Sequence, residues 1–123
     1  MNAITPHNAQ LELETGKAVM IDLRPSMDYE FVGFDVDHVV NIPLVKLPDA
    51  LHKFSKTKRI ICADFDESLV VKAATILENN GFINVVYLEG GMKNWNKEKL
   101  PLQYNVEGGC GDSDCNTCSG CSV

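Results

Sequence analysis

The stretch that decides the fold is Arg59-Ile60-Ile61-Cys62-Ala63-Asp64-Phe65-Asp66-Glu67-Ser68. Its first half is a short apolar run typical of a buried strand, and apolar residues recur at helical spacing from Ser68 onward. We therefore expect a strand, a tight turn and a helix. In this arrangement the turn carries Cys62 off the end of the strand and points it at the start of the helix.

This expected position favours a nucleophilic role for Cys62. Backbone N–H groups at a helix N-terminus have no partner within the helix, and the helix dipole favours negative charge there. A thiolate at such a place is stabilised, so the pKa of the thiol falls. The alternative is that Cys62 is a buried and inert strand residue, because free cysteine is often buried.

Composition and charge restrict the class of protein. A chain of 123 residues, 45% hydrophobic and 23% charged, is typical of one soluble globular domain. The net charge of −6 argues against nucleic acid or an anionic membrane as a partner. No apolar run approaches the length of a membrane span, and the N-terminus lacks the features of a signal peptide. We therefore expect a cytoplasmic protein.

Strand and helix patterns alternate along the chain. Thr5 and Pro6 are suited to begin a first helix and Gly16 to end it. Ser26 can cap a short second helix, and Pro48 can open a third. The predicted strands cover residues 18–23, 39–42, 59–63 and 85–88, and the helix after the turn covers 68–80. Such alternation predicts an α/β fold with a parallel sheet, whose sites form beyond the carboxyl ends of the strands.

Three stretches of the chain resemble the signatures of the single-domain rhodanese-like family, which contains sulfurtransferases. Cys62 and Ser68 bracket a loop of the length found in that family, and the resemblance covers roughly residues 4–102. The first signature is matched by three segments, Asp22-Leu23-Arg24, Asp28-Tyr29-Glu30 and Asn41-Ile42-Pro43-Leu44. The C-terminal signature is matched by Leu88-Glu89-Gly90-Gly91-Met92-Lys93-Asn94-Trp95, ending in Leu100-Pro101-Leu102.

The resemblance implies a rhodanese-like domain over residues 1–104, with a central parallel sheet and helices on both faces. It implies that Cys62 is the catalytic residue and carries sulfane sulfur as a persulfide. The substrate would be bound by the loop, whose backbone N–H groups would stabilise the sulfur anion. The loop residues are Asp64, Phe65, Asp66, Glu67 and Ser68.

The predicted loop is unusually acidic for this family. Its loops usually contain glycine and arginine, and here Phe65 and Glu67 stand in those places. Two like charges about 4 Å apart repel by roughly 4 kcal/mol at an effective dielectric of 20, so the loop disfavours thiosulfate as the donor. It also disfavours phosphatase chemistry, which needs a cationic cradle. The alternative is that the carboxylates only cap the first turn of the helix.

Four of the five cysteines lie in the segment that we call the tail, residues 105–123. Their spacing is Cys-x4-Cys-x2-Cys-x2-Cys, over Cys110, Cys115, Cys118 and Cys121. The first three resemble a plant-type ferredoxin loop, and four thiolates also suit zinc. We expect a tail that is either flexible or ordered by an iron–sulfur cluster or zinc. The alternatives are a thiol relay for Cys62 and a run of thiols without a role.

Two functional hypotheses follow. The first is a sulfurtransferase or sulfur carrier that forms a persulfide on Cys62 from a donor other than thiosulfate. Its partners would be a sulfane-sulfur donor and a thiol acceptor, which can be a protein, and its persulfide chemistry needs no cofactor. The second is a non-catalytic protein of rhodanese fold whose tail binds a metal or cluster for electron transfer, metal handling or sensing. The sequence leaves the oligomeric state open.

Overall fold

The structure is a computed structural model, and it describes residues 2–104. The tail lies outside the described residues. The strands are β1 (Asn2–Ile4), β2 (Ala18–Asp22), β3 (Val32–Phe34), β4 (Val39–Asn41), β5 (Arg59–Ala63), β6 (Val85–Leu88) and β7 (Leu102–Tyr104). The α-helices are α1 (Pro6–Glu14), α2 (Ser26–Phe31), α3 (Leu47–Ala50), α4 (Val70–Asn79) and α5 (Gly91–Lys97), and short 3-10 turns flank α3.

Five strands form a central parallel sheet in the order β1-β6-β5-β2-β4. Strand β5, which leads into the predicted loop, therefore lies in the middle of the sheet. Strands β3 and β7 form a separate antiparallel pair. The predicted rhodanese-like α/β fold with a central parallel sheet is confirmed.

Alternate side chains of β5 point to opposite faces of the sheet, as the pleat of a strand requires. Ile61 and Ala63 belong to the cluster that α1 and α5 cover, which includes the fully buried Trp95. Ile60 and Cys62 belong to the cluster on the other face, where α3 and α4 pack. Helices therefore cover the sheet on both sides, and Cys62 faces the α3–α4 side.

Several predicted boundaries agree with the structure. Thr5 caps α1, since its Oγ1 accepts a hydrogen bond from the backbone N–H of Asn8, and Pro6 is the first helical residue. The prediction for Ser26 was wrong: Ser26 lies within α2, Pro25 occupies the cap position, and no side chain caps this helix. Helix α4 begins at Val70 rather than Ser68.

Strands β1, β3 and β7 were not predicted. Each has only three residues, too few for a periodic pattern to stand out. Pairing with distant partners forms them: β1 joins β6, and β3 joins β7. Within residues 2–104, no helix has the length and apolar character needed to cross a bilayer.

Candidate functional site

The loop between β5 and α4, residues 64–69, lies at the carboxyl edge of the sheet. The segments that follow the neighbouring strands meet it there. Leu23 after β2 donates its backbone N–H to the carbonyl of Ala63 at 2.8 Å. The turn after β6 leads into α5, whose first residues contact the loop backbone. We call residues 64–69 the acidic loop.

Cys62 lies within β5, two residues before the acidic loop. It pairs with Ile21 of β2 on one side and Tyr87 of β6 on the other, and its side chain is fully buried. The predicted strand over residues 59–63 matches β5, and Cys62 is its penultimate residue, one position before the strand ends. The role of Cys62 as the sulfur carrier remains a prediction.

Burial also changes the acidity of this thiol. Desolvation raises the pKa of Cys62 from 9.0 to about 12. This rise lowers the thiolate fraction at neutral pH about a thousandfold. The thiolate is the reactive form of cysteine, so the apolar surroundings of Cys62 oppose a nucleophilic role.

The first residue of the acidic loop is Asp64, and it is 6% exposed. Burial raises the pKa of Asp64, hydrogen bonds from the backbone N–H groups of Phe65 and Leu69 lower it in part, and the charges of Asp66 and Asp22 raise it. The Asp64 side chain is therefore turned away from solvent, near backbone amides of its own loop.

Asp66 and Ser68 form a local turn within the acidic loop. The Oδ1 atom of Asp66 accepts the backbone N–H of Ser68 at 2.8 Å and the Ser68 hydroxyl at 2.6 Å. These bonds lower the pKa of Asp66. Asp66 thus acts as a turn residue before the helix, close to the capping role that the sequence left open.

Glu67 and α5 fix the acidic loop from the other side. The backbone N–H of Gly90 donates to Glu67 Oε2 at 2.7 Å. The N–H groups of Met92 and Lys93 donate to the carbonyls of Asp64 and Phe65, both at 2.9 Å. The loop backbone is therefore held by α5.

Gly91 allows this close approach. Its φ is +64°, and an added Cβ would lie 2.6 Å from the carbonyl oxygen of Asp64 and would also meet that of Asp66. A side chain at this position would separate α5 from the acidic loop.

A buried ion pair supports the same edge of the sheet. Arg24 Nη2 donates to Asp22 Oδ2 at 2.8 Å and to the carbonyl of Val32 at 2.6 Å. The side-chain amide of Asn41 donates to the carbonyls of Asp22 and Arg24. Nε and Nη2 of Arg24 therefore both donate within the protein, which favours a structural role for the pair.

Two lysines that were not predicted from the sequence as site residues also lie at the site. An open cleft of about 580 Å³ lies between the acidic loop and α5, with Lys93 and Lys97 on its helical wall. Asp66, Glu67 and Ser68 line the opposite wall. The spacing of the lysines places them on one face of α5, and this spacing was the signal available in the sequence.

The predicted metal ligands Cys110, Cys115, Cys118 and Cys121 lie outside the described residues. In the part of the chain from residue 2 to 104, no cluster of three or more His, Cys, Asp or Glu side chains could hold a metal ion.

Comparison with known proteins defines the class of this chain. The family model of the rhodanese-like domain matches residues 5–98. The chain belongs to the rhodanese-like family. Comparison with curated protein sequences gave no match.

Solved structures of this fold are similar to the chain. The rhodanese-like domain of an Anabaena protein aligns with a TM-score of 0.76 and 22% identity, over 97% of this chain and 92% of that one. A rhodanese-like domain protein from Staphylococcus aureus gives 0.68 and 27%, over 77% and 91% of the two chains. A thiosulfate sulfurtransferase from Pseudomonas aeruginosa gives 0.73 and 18%, over 86% of this chain and 21% of that one.

Proposed function

We propose that this chain is a rhodanese-fold protein whose acidic loop has no sulfur nucleophile and whose tail binds an iron–sulfur cluster or zinc. It would act in electron transfer, metal handling or sensing, in the cytoplasm. One observation carries the proposal: the residue at the start of the loop is Asp64, whereas the only cysteine of residues 2–104, Cys62, is buried inside β5.

The register of the loop supports this proposal. In the family resemblance, the catalytic cysteine begins the loop and an arginine stands near its end. The resemblance places Cys62 at the cysteine position and Glu67 at the arginine position, but the observed β5 extends through Ala63 and keeps Cys62 out of the loop. The loop then offers neither a thiol nor a cation, and both are needed to take sulfur from thiosulfate.

The hydrogen bonds of the loop support the same conclusion. A bound sulfur anion needs free backbone N–H groups around it. Here Asp66 accepts the N–H of Ser68, and the backbone N–H groups of Phe65 and Leu69 lie close enough to Asp64 to offset part of the rise in the pKa of its carboxyl group. The protein's own carboxylates therefore use the donors that would otherwise hold an anionic sulfur.

The tail supplies a donor set that fits a metal centre. Four cysteines with intervening Gly, Ser, Asp and Asn can surround one zinc ion or one iron–sulfur cluster. When bound, a cluster would supply one-electron chemistry, and zinc would supply structural order. The tail would be the part of the chain with accessible thiols.

Sulfur transfer through Cys62 is the second candidate function. Membership in a family with sulfurtransferases favours it, and the acidic loop favours a donor other than thiosulfate, such as a polysulfide or a protein persulfide. This function requires β5 to open, since a fully buried thiol cannot meet a donor. A persulfide found on Cys62 in the folded protein would establish it.

Metal analysis of anaerobically purified full-length protein tests the proposed function. We expect iron with acid-labile sulfide, or else one zinc per chain. The double variant Cys115→Ser/Cys118→Ser should lose the metal, whereas Cys62→Ser should retain it. A metal-free wild type that takes up neither iron–sulfur cluster nor zinc on reconstitution would overturn the proposal.

A further inference from the structure

An apolar groove lies beside the acidic loop, at the point where the described chain ends. Phe65 of the loop and Tyr104 of β7 line it together with Val32, Met92 and Leu102, and its volume is about 210 Å³. Phe65 is 54% exposed and Tyr104 is 63% exposed. Two aromatic side chains thus present apolar surface to solvent around one small groove.

We propose that this groove is a docking site for residues 105–109 of the same chain, with Val106 packed against Phe65 and Glu107 beside Lys93. The docking itself does not depend on a metal. Its consequence for the tail cysteines rests on the proposed function.

The direction of the chain supports this occupant. Leu102 and Tyr104 both line the groove, as expected of residues two apart on one strand. Val106 is the next residue in that period, and it is the only residue with an apolar side chain between Tyr104 and Cys110.

The antiparallel pair also ends at this place. Tyr104 pairs with Val32, and the residue before Val32 is Phe31, the last residue of α2. A helical residue cannot continue the ladder, so β7 has no strand partner beyond Tyr104 among the described residues. Docking of the following residues in the groove would therefore break no strand pairing that residues 2–104 make.

Charge complementarity selects the same segment. Lys93 stands at the rim of the groove, and none of the ion pairs among residues 2–104 uses it. Glu107 follows Val106 directly. A docked Val106 would therefore bring a carboxylate to the end of the groove that carries a lysine.

Docking would keep the first tail cysteine near the groove. Six residue steps separate Tyr104 from Cys110, which is at most about 20 Å of extended chain. With residues 105–109 held in the groove, Cys110 would lie within about 20 Å of Tyr104. A metal centre in the tail would then lie beside the groove rather than far from the domain.

Nuclear magnetic resonance of the full-length chain tests the docking. We expect nuclear Overhauser contacts between the Val106 methyl groups and the Phe65 ring, in protein as isolated under reducing conditions and after metal removal. Val106→Asp should abolish these contacts and shift the signals of Phe65, Met92 and Leu102. Two control variants should leave the groove signals in place. Val123→Asp makes the same change at the other valine of the tail, and Ile83→Gln changes an exposed apolar side chain outside the groove.

Two results would overturn the docking. One is the absence of contacts from Val106 to the groove in both preparations, with unchanged groove signals in Val106→Asp. The other is a set of groove signals that shift with protein concentration, which would identify a second copy as the occupant. Because metal content is measured separately, loss of the docking and loss of the metal centre are distinguishable.

Discussion

At the scale of single residues, a sulfur-transfer loop requires an accessible thiol, but in this chain the cysteine is buried in the sheet and an aspartate begins the loop. The two residues are two positions apart, and the ladder of β5 with β2 ends at Ala63, between them. Cys62 is therefore a core side chain of the sheet, and Asp64 is the residue that enters the loop. Burial raises the pKa of the Cys62 thiol, and backbone amides of the loop lie near the Asp64 carboxylate.

Substitution of Cys62 should reveal a core residue rather than a loop residue. Cys62→Ala should cost about 1 kcal/mol of unfolding free energy, because it removes one buried atom. Cys62→Ser should cost more, about 1–3 kcal/mol, because it buries a hydroxyl among apolar side chains. Urea unfolding of both variants measures the difference. A Ser variant as stable as the wild type would place the side chain in a polar setting instead.

The two aspartates of the loop should show opposite dependence on pH. The folded state raises the pKa of Asp64, so ionisation of Asp64 costs stability as pH rises from its ordinary value of 3.8 through the raised value. Asp64→Asn removes this cost, so the variant should gain stability relative to wild type at neutral pH and lose that gain in acid.

Asp66 is the matched control, because hydrogen bonds from Ser68 lower its pKa. Its ionised form stabilises the fold above pH 3.8, and this contribution disappears as pH falls through the lowered value. Asp66→Asn should therefore be less stable than wild type at neutral pH and approach it in acid. Unfolding curves from pH 3 to 7 measure the stability of each variant relative to wild type. If this difference changed with pH in the same direction for both variants, the opposite pKa shifts of Asp64 and Asp66 would be refuted.

At the scale of elements, the contact between α5 and the acidic loop sets the shape of the site. Amides from the first turn of α5 bind loop carbonyls, and Glu67 closes the contact through Gly90. Residues 88–95, which include the start of α5, were singled out in the sequence by the family resemblance. The sequence could not show that the helix would hold the loop, because this contact joins residues more than twenty positions apart.

Gly91→Ala should break this contact. Both Gly91 and Gly16 have positive φ, so alanine at either costs about 1–2 kcal/mol of backbone strain. At Gly16 only a ring carbon of His38 lies within reach of a new Cβ, whereas at Gly91 loop carbonyls lie there. Overpacking should therefore add about 1–3 kcal/mol at Gly91. Urea unfolding of both variants measures the excess, and equal losses would mean that the loop can yield without cost.

At the scale of the whole molecule, the chain divides into a described domain with a buried cysteine and a tail with four further cysteines. The sequence allowed the α/β fold and the loop region to be predicted, because the alternation of strands and helices is local. The strand over residues 59–63 was part of that prediction. The full burial of Cys62 could not be predicted in the same way, because it depends on α3 and α4, which pack on that face of the sheet.

Sulfur loading followed by intact mass tests the central claim, that the folded domain has no reactive thiol. In the variant with Ser at positions 110, 115, 118 and 121, anaerobic polysulfide should add nothing to the native protein. The same variant carrying Asp64→Cys is the positive control, and it should gain about 32 Da for each added sulfur. Alkylation in denaturant should confirm that Cys62 is present and free. A gain of about 32 Da on Cys62 in the native tail variant would contradict the account.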